Sequence, residues 1–411
     1  MEQQRTSIPE LPSGHIPTLD GLRGLAILLV MLTHCAGSLE TGSHRLDALF
    51  HLAFGHGWVG VNLFFALSGF LITGILFDSR KAPHYFRDFY ARRTLRIFPL
   101  YYGILFVAFV ILPLIGDGSE MYAELRGRQA WLWSYCANIK LTLFGEWCFM
   151  SPMVDLGHFW SLAVEEHFYL VWPLLVYSLS RRGLVRVCIA IIVIAGVSRS
   201  IWVVGHETPG ITKLLPAYVL TPFRMDDLAM GALLAALIRE PANRVWLVKY
   251  AWHAVVLGTA LLLLALALPE LLHRRTLLQT WGYSAISFFF TTLLSATLFA
   301  KKGSSLSVVF SSPLLRWFGK YSYGLYIFNS IVFRWVSTLN VEQVLRRFVP
   351  NQMAAALLAS LAGLGVSMLL AICSWHLYEK HFLKLKKYFE YRARPAAVLS
   401  GPALGHEPPV G

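Results

Sequence analysis

The stretch WVGVNLFFALSGFLITGILF, residues 58–77, runs for twenty positions without a charged side chain. A helix rising 1.5 Å per residue needs about twenty residues to cross the hydrocarbon layer of a bilayer, so this segment reads as a membrane span. Runs of the same character recur at 22–38, 100–115, 159–179, 187–204, 217–238, 248–268, 281–300, 323–339 and 353–377. Together they predict an all-α, polytopic membrane bundle of ten transmembrane helices. Composition agrees: 56% of the 411 residues are hydrophobic and 14% charged, against about 25% charged in soluble domains. The 13 Trp residues suit amphipathic rings at the two lipid interfaces.

The formal net charge of +13 raises the question of nucleic acid. The basic residues lie between apolar runs instead of forming one stripe, so they read as topology and no nucleic acid partner is expected. With both termini on the cytoplasmic side, most of the 36 Lys and Arg fall on that side, and Arg23, Arg199, Arg224 and Arg334 remain inside spans. A multi-pass protein of the cell's inner (plasma) membrane follows. Residues 1–18 are expected to form a cytoplasmic tail without a removable signal peptide, 19–382 the transmembrane domain, and 383–411 a basic, disordered cytoplasmic tail. The five cysteines show no metal-binding spacing, and nothing in the sequence calls for a metal. Cys35, Cys188 and Cys373 read as small buried hydrophobes. Cys136 and Cys148 share one outer loop, where a disulfide and two free thiols are both open to them.

Polar groups inside lipid are costly, so each is a functional candidate. Arg23 and His34 are eleven residues apart, which at 100° per residue brings them to within about 20° of one helical face and about 16 Å apart along the axis. Taken alone, His34 also fits a histidine bridging two helices and Arg23 a snorkelling side chain. The span from His158 and Trp160 through Glu165, Glu166 and His167 gathers carboxylates beside imidazoles, a pairing that orients a ring and fixes its tautomer. Arg93 and Arg96 share a helical face suited to phosphate, although an ordinary basic flank has the same composition. Arg224 with Asp226 or Asp227 reads first as mutual neutralisation.

These residues resemble the membrane-bound acyltransferase family 3, which O-acylates surface polysaccharides, lipid-linked glycans and some glycosylated small molecules. The resemblance runs from Leu19 to about Phe382. It rests on Leu19-Asp20-Gly21-Leu22-Arg23-Gly24 with His34, on the run from Gly60 to Ile72, on Arg93 with Arg96, and on Trp160-Ser161-Leu162 with Glu165-Glu166. It implies an acyl-CoA donor, commonly acetyl-CoA, as substrate without a permanently bound cofactor, and a carbohydrate acceptor. Arg23 and His34 would be the essential arginine–histidine pair, and Arg93 and Arg96 would bind the donor. The fused esterase-like domain of many relatives is expected to be absent.

On this reading His34 removes a proton from a sugar hydroxyl, and Glu166 or Glu165 orients its ring. A covalent acyl-His34 is the less favoured variant. Asn62 or Ser68 is a candidate for stabilising the oxyanion. Asp20, His158, Trp160, Arg224 and Asp227 remain acceptor or structural polar positions. So does Asn329, where relatives often carry His; the relatives' Glu-Lys-Pro is here Glu379-Lys380-His381. The alternative from another class is a secondary transporter of a sugar or lipid-linked glycan; a sensor or scaffold ranks below it.

Overall fold

The computed structural model describes Pro9 and residues 14–37, 54–115, 118–208, 211–212, 215–271 and 276–390. Of the C-terminal tail expected at 383–411, residues 391–411 lie outside the described residues, as do most of the N-terminal tail and Arg5, Arg45, Lys213, Arg274, Arg275, Arg392 and Arg394. The expectation of disorder is corrected for its first residues, which form a short helix at Lys380–Lys384 and a 3-10 turn at Leu385–Tyr388.

Each of the ten apolar runs falls on a helix. These are α1 Pro17–Gly37, α2 Gly60–Asp78, α3 Tyr85–Phe106, α4 Phe159–Ser178, α5 Arg181–Gly205, α6 Thr221–Leu237, α7 Pro241–Leu271, α8 Tyr283–Leu298, α9 Pro313–Thr338 and α10 Gln352–Ser374. Among the described helices six (α1, α2, α3, α5, α7 and α10) are long and apolar enough by themselves to cross a membrane. The other four are short or carry polar groups. On α6, Arg224, Asp226 and Asp227 are fully buried inside the protein, which spares the lipid their charge. The position of a helix sets how apolar it must be. α7 has only 6% of its apolar window buried and shows Trp246, Trp252 and Leu263 to the outside, whereas α2 is 72% buried and sits at the centre.

Lipid supplies no hydrophobic drive for one apolar helix to join another, so the bundle closes through close backbone approach at small residues. A Cβ on Gly24 of α1 would sit 1.9 Å from the carbonyl oxygen of Leu315 in α9, and one on Gly319 of α9 would sit 2.0 Å from that of Asp20 in α1. α2 and α6 make the same reciprocal contact through Gly69 and Gly231. The Asp20-Gly21-Leu22-Arg23-Gly24 motif is therefore partly a docking surface for α9.

Three features depart from the sequence reading. α3 begins at Tyr85, well before its apolar run, so Arg92, Arg93 and Arg96 are helical; it continues through a π-helical turn at Val107–Ile111. The loop after it folds into short helices Glu120–Gly127, Gln129–Trp133 and Ala137–Phe144. Among the cysteines the expectation for Cys373 needs correction, and the choice left open for Cys136 and Cys148 is resolved. Cys136 and Cys148 are both free thiols, Cys148 buried and Cys136 directed at the carbonyl of Ser134. Cys373 is exposed on α10 instead of buried, because it lies on the outward face of a peripheral helix, while Cys35 and Cys188 are buried.

Candidate active site

α1 and α9 run in the same direction, since Gly24 meets Leu315 at one end and His34 meets Asn329 at the other. His34 Nδ1 lies 3.0 Å from the carbonyl of Val30 and 2.8 Å from the side-chain amide of Asn329; Nε2 lies 3.2 Å from Ser330 Oγ. A carbonyl only accepts, so Nδ1 carries the hydrogen. The Asn329 atom placed 2.8 Å away is Nδ2, a second donor, whereas its buried Oδ1 has no partner; exchanging the two near-isosteric amide positions satisfies both groups, with Oδ1 accepting from Nδ1. Nε2 keeps its lone pair, facing the Ser330 hydroxyl, and the ring is backed by Phe333 at 6.4 Å between centroids. That is the arrangement of a general base.

His34 and Ser330 line a cavity of about 260 Å³ whose walls include Trp58, Trp147, Trp160, Asp155 and His158. Neither ring nitrogen of His158 makes a sound hydrogen bond within the protein. A second, narrow cavity of about 100 Å³ shares Val61 and Tyr326 with the first, and shares Arg23, Arg93 and Arg96 with a third of about 470 Å³. The three thus form a series from the arginines to the imidazole. Tyr326 partitions it, with its hydroxyl hydrogen-bonded to Ser161 Oγ and donating to the carbonyl of His158 at 3.2 Å.

At the arginine end, the Arg93 guanidinium sits 5.3 Å over the Tyr169 ring, Tyr169 donates to Ser68 at 3.2 Å, and Ser68 donates to Glu165 at 2.5 Å. Arg23 stands 3.7 Å from Asp20, which also pairs with His15 at 2.6 Å.

These positions correct the expected carboxylate–histidine pairing. Glu165 is engaged with Ser68 among the arginines, Glu166 has a buried Oε1 without a partner, and neither is a hydrogen-bond partner of His34. The cause is register. α4 turns its carboxylates towards the arginine-side cavity and the protein interior, and α9 brings an amide to the ring instead. Asn62 is likewise no oxyanion donor: its amide points to Asp227 and Ser287, at 3.2 and 3.1 Å. Ser68 is far from His34 in the cavity series, on the arginine side. Arg224 and Asp227 form a buried ion pair at 2.8 Å, with the guanidinium 4.6 Å from the centre of the Tyr283 ring. Beside them Arg199 pairs with Asp226 at 2.9 Å and donates to the carbonyl of Thr280 at 2.7 Å. This polar cluster ties α5, α6 and α8 together.

Ser330 and Tyr326 were missed by the sequence reading. The place of Tyr326 between two cavities exists only once α9 has docked.

A family profile described as an acyltransferase domain matches residues 16–375, a range that takes in every residue of the cavity series except Lys386. The chain belongs to this acyltransferase family. It is 29% identical over 327 residues to a peptidoglycan O-acetyltransferase of Listeria monocytogenes, covering 77% of this chain and 49% of the relative. It is 30% identical over 331 residues to a Bacillus subtilis protein provisionally named for the same activity, covering 77% and 48%. A Staphylococcus aureus protein provisionally named as an O-acetyltransferase is 25% identical over 352 residues, covering 80% and 52%. The chain therefore spans about half the length of the curated relatives it matches. No solved structure matches it significantly.

Proposed function

We propose that this family member is a membrane O-acetyltransferase that moves an acetyl group from acetyl-CoA to a hydroxyl of a carbohydrate, with a peptidoglycan-type glycan as the acceptor class. The observation that carries the proposal is the His34 ring, tethered through Nδ1 by Val30 and Asn329, with an Nε2 that meets only the Ser330 hydroxyl at the wall of an aromatic cavity. Phosphates of the donor engage Arg93, Arg96 and Arg23, and the acetylated arm passes Tyr326. Trp58, Trp147 and Trp160 offer flat apolar walls to a sugar ring, while Asp155 and His158 offer it polar groups.

The sugar hydroxyl takes the place of the Ser330 hydroxyl at Nε2 and gives up its proton as its oxygen attacks the thioester carbonyl. The tetrahedral adduct collapses with cleavage of the C–S bond. The proton on Nε2 passes to the departing thiolate, leaving an acetyl ester and free CoA. Family membership and the Tyr326 partition weigh against the transporter reading.

The test is the full chain in vesicles with radiolabelled acetyl-CoA and peptidoglycan fragments, comparing the native protein with His34→Gln and His34→Ala. Transfer is expected to be lost in both. Equal transfer by all three ends the assignment of the base, and transport of the glycan without acetyl-CoA consumption ends the enzymatic reading.

A further inference from the structure

Beyond α10 the chain passes through a π-helical turn at Trp375–Glu379, a short helix at Lys380–Lys384 and a 3-10 turn at Leu385–Tyr388. This returning segment brings Lys386 to the wall of the largest of the three cavities in the series, which Arg93 and Arg96 also line. Arg92 holds it there: one of its guanidinium nitrogens lies 3.2 Å from the carbonyls of both Lys386 and Phe389. Arg92 thus spends donors on backbone, and the Lys386 side chain is left to face the cavity. Among the described residues no salt bridge joins Arg93, Arg96 or Lys386 to a carboxylate, and the one acid in this wall, Asp78, is paired with Arg239 at 2.7 Å. Several cations around one half-buried space repel one another until an anion enters.

The position of Lys386 within that group is informative. Arg23, Arg93 and Arg96 line both the narrow cavity leading to His34 and the wide one; Lys386 lines only the wide one. A donor whose reactive end points to His34 meets the three arginines first and Lys386 last.

We propose that Lys386 binds the phosphate of the donor most distant from the thioester, the 3′-phosphate of the CoA ribose, while the arginines hold the diphosphate. This rests on the acyl-CoA reading above. The returning segment Lys380–Tyr388 then acts as the wall that distinguishes CoA from carriers with fewer phosphates.

The experiment measures Kd for CoA and for 3′-dephospho-CoA with the full-length protein in detergent, for the native chain, Lys386→Met, Lys386→Arg and Lys387→Met. One charge-assisted phosphate contact predicts that the native protein and Lys387→Met prefer CoA by about tenfold. Lys386→Met loses that preference with little change in affinity for 3′-dephospho-CoA, and Lys386→Arg restores it. A merely structural lysine would weaken both ligands alike, so a uniform loss overturns the proposal. So does a preference that survives in Lys386→Met, or native binding that is equal for the two ligands. If the native protein binds neither, the donor reading itself falls and this proposal with it.

Discussion

Replacing Asn329 tests the base directly. Its side chain is fully buried and lies 2.8 Å from His34 Nδ1. Asn329→Leu keeps most of the volume but deletes the acceptor, leaving Val30, at 3.0 Å, as the remaining partner on Nδ1. Loss of one hydrogen bond whose donor keeps a second acceptor costs about 0.5–1.5 kcal/mol. Because the bond supports, together with Val30, the tautomer that leaves Nε2 unprotonated, that cost falls on the reactive arrangement, and kcat should drop about 2- to 13-fold. Asn329→Asp separates two assignments of the ring. If Nδ1 carries the hydrogen, a carboxylate accepts it at least as well as an amide oxygen and activity is retained, as in carboxylate–histidine pairs generally. If Nδ1 is instead the acceptor, the carboxylate faces a lone pair and activity collapses. The assay is initial-rate transfer of radiolabelled acetyl in vesicles, with the fold checked by thermal unfolding. Native rates in Asn329→Leu, or an inactive but folded Asn329→Asp, would refute the tautomer argument.

Three further outcomes follow from packing and charge. Gly24→Ala places a methyl 1.9 Å from a carbonyl oxygen where ordinary contact begins near 3.4 Å, so α1 and α9 must part by about 1.5 Å at the Arg23 end; donor KM should rise and thermal stability fall, whereas Gly365→Ala, with nothing within 4 Å, should leave both unchanged. Arg199→Met strands Asp226, both being fully buried, and should cost about 3–5 kcal/mol in unfolding experiments, with much of the loss recovered in Arg199→Met/Asp226→Asn. Burial raises the pKa of the Asp155 carboxyl against the opposing pull of the Gly157 N–H and Arg334. A raised folded-state pKa means that its stabilising contribution is full at low pH and is lost as pH rises through that value, so Asp155→Asn, which keeps the 2.9 Å bond from Gly157 N, should flatten the decline of Tm with rising pH.

Much of this protein was legible in its residues. Hydrocarbon thickness translates into run length, so the positions of the ten helices could be counted along the chain without any knowledge of their neighbours. The cost of charge in lipid singled out Arg23, His34, Glu165, Arg224 and Asp227 before any of them had a partner. Helical period alone put Arg23 and His34 on one face. Period and cost, however, act within one helix, and partners come from another. That is why the Glu165 and Glu166 carboxylates were matched to the wrong group, why Asn62 was placed at the reaction when it serves the Asp227 cluster, and why Cys136 and Cys148 remained open between bridge and free thiols. The rotation of α9 against α1, fixed by the close approach at Gly24 and Gly319, decided that an asparagine and a serine hold the imidazole and that a tyrosine divides the cavities. Local sequence sets how far a helix reaches and which side chains it must hide; only packing between helices distant in the chain determines what those side chains meet.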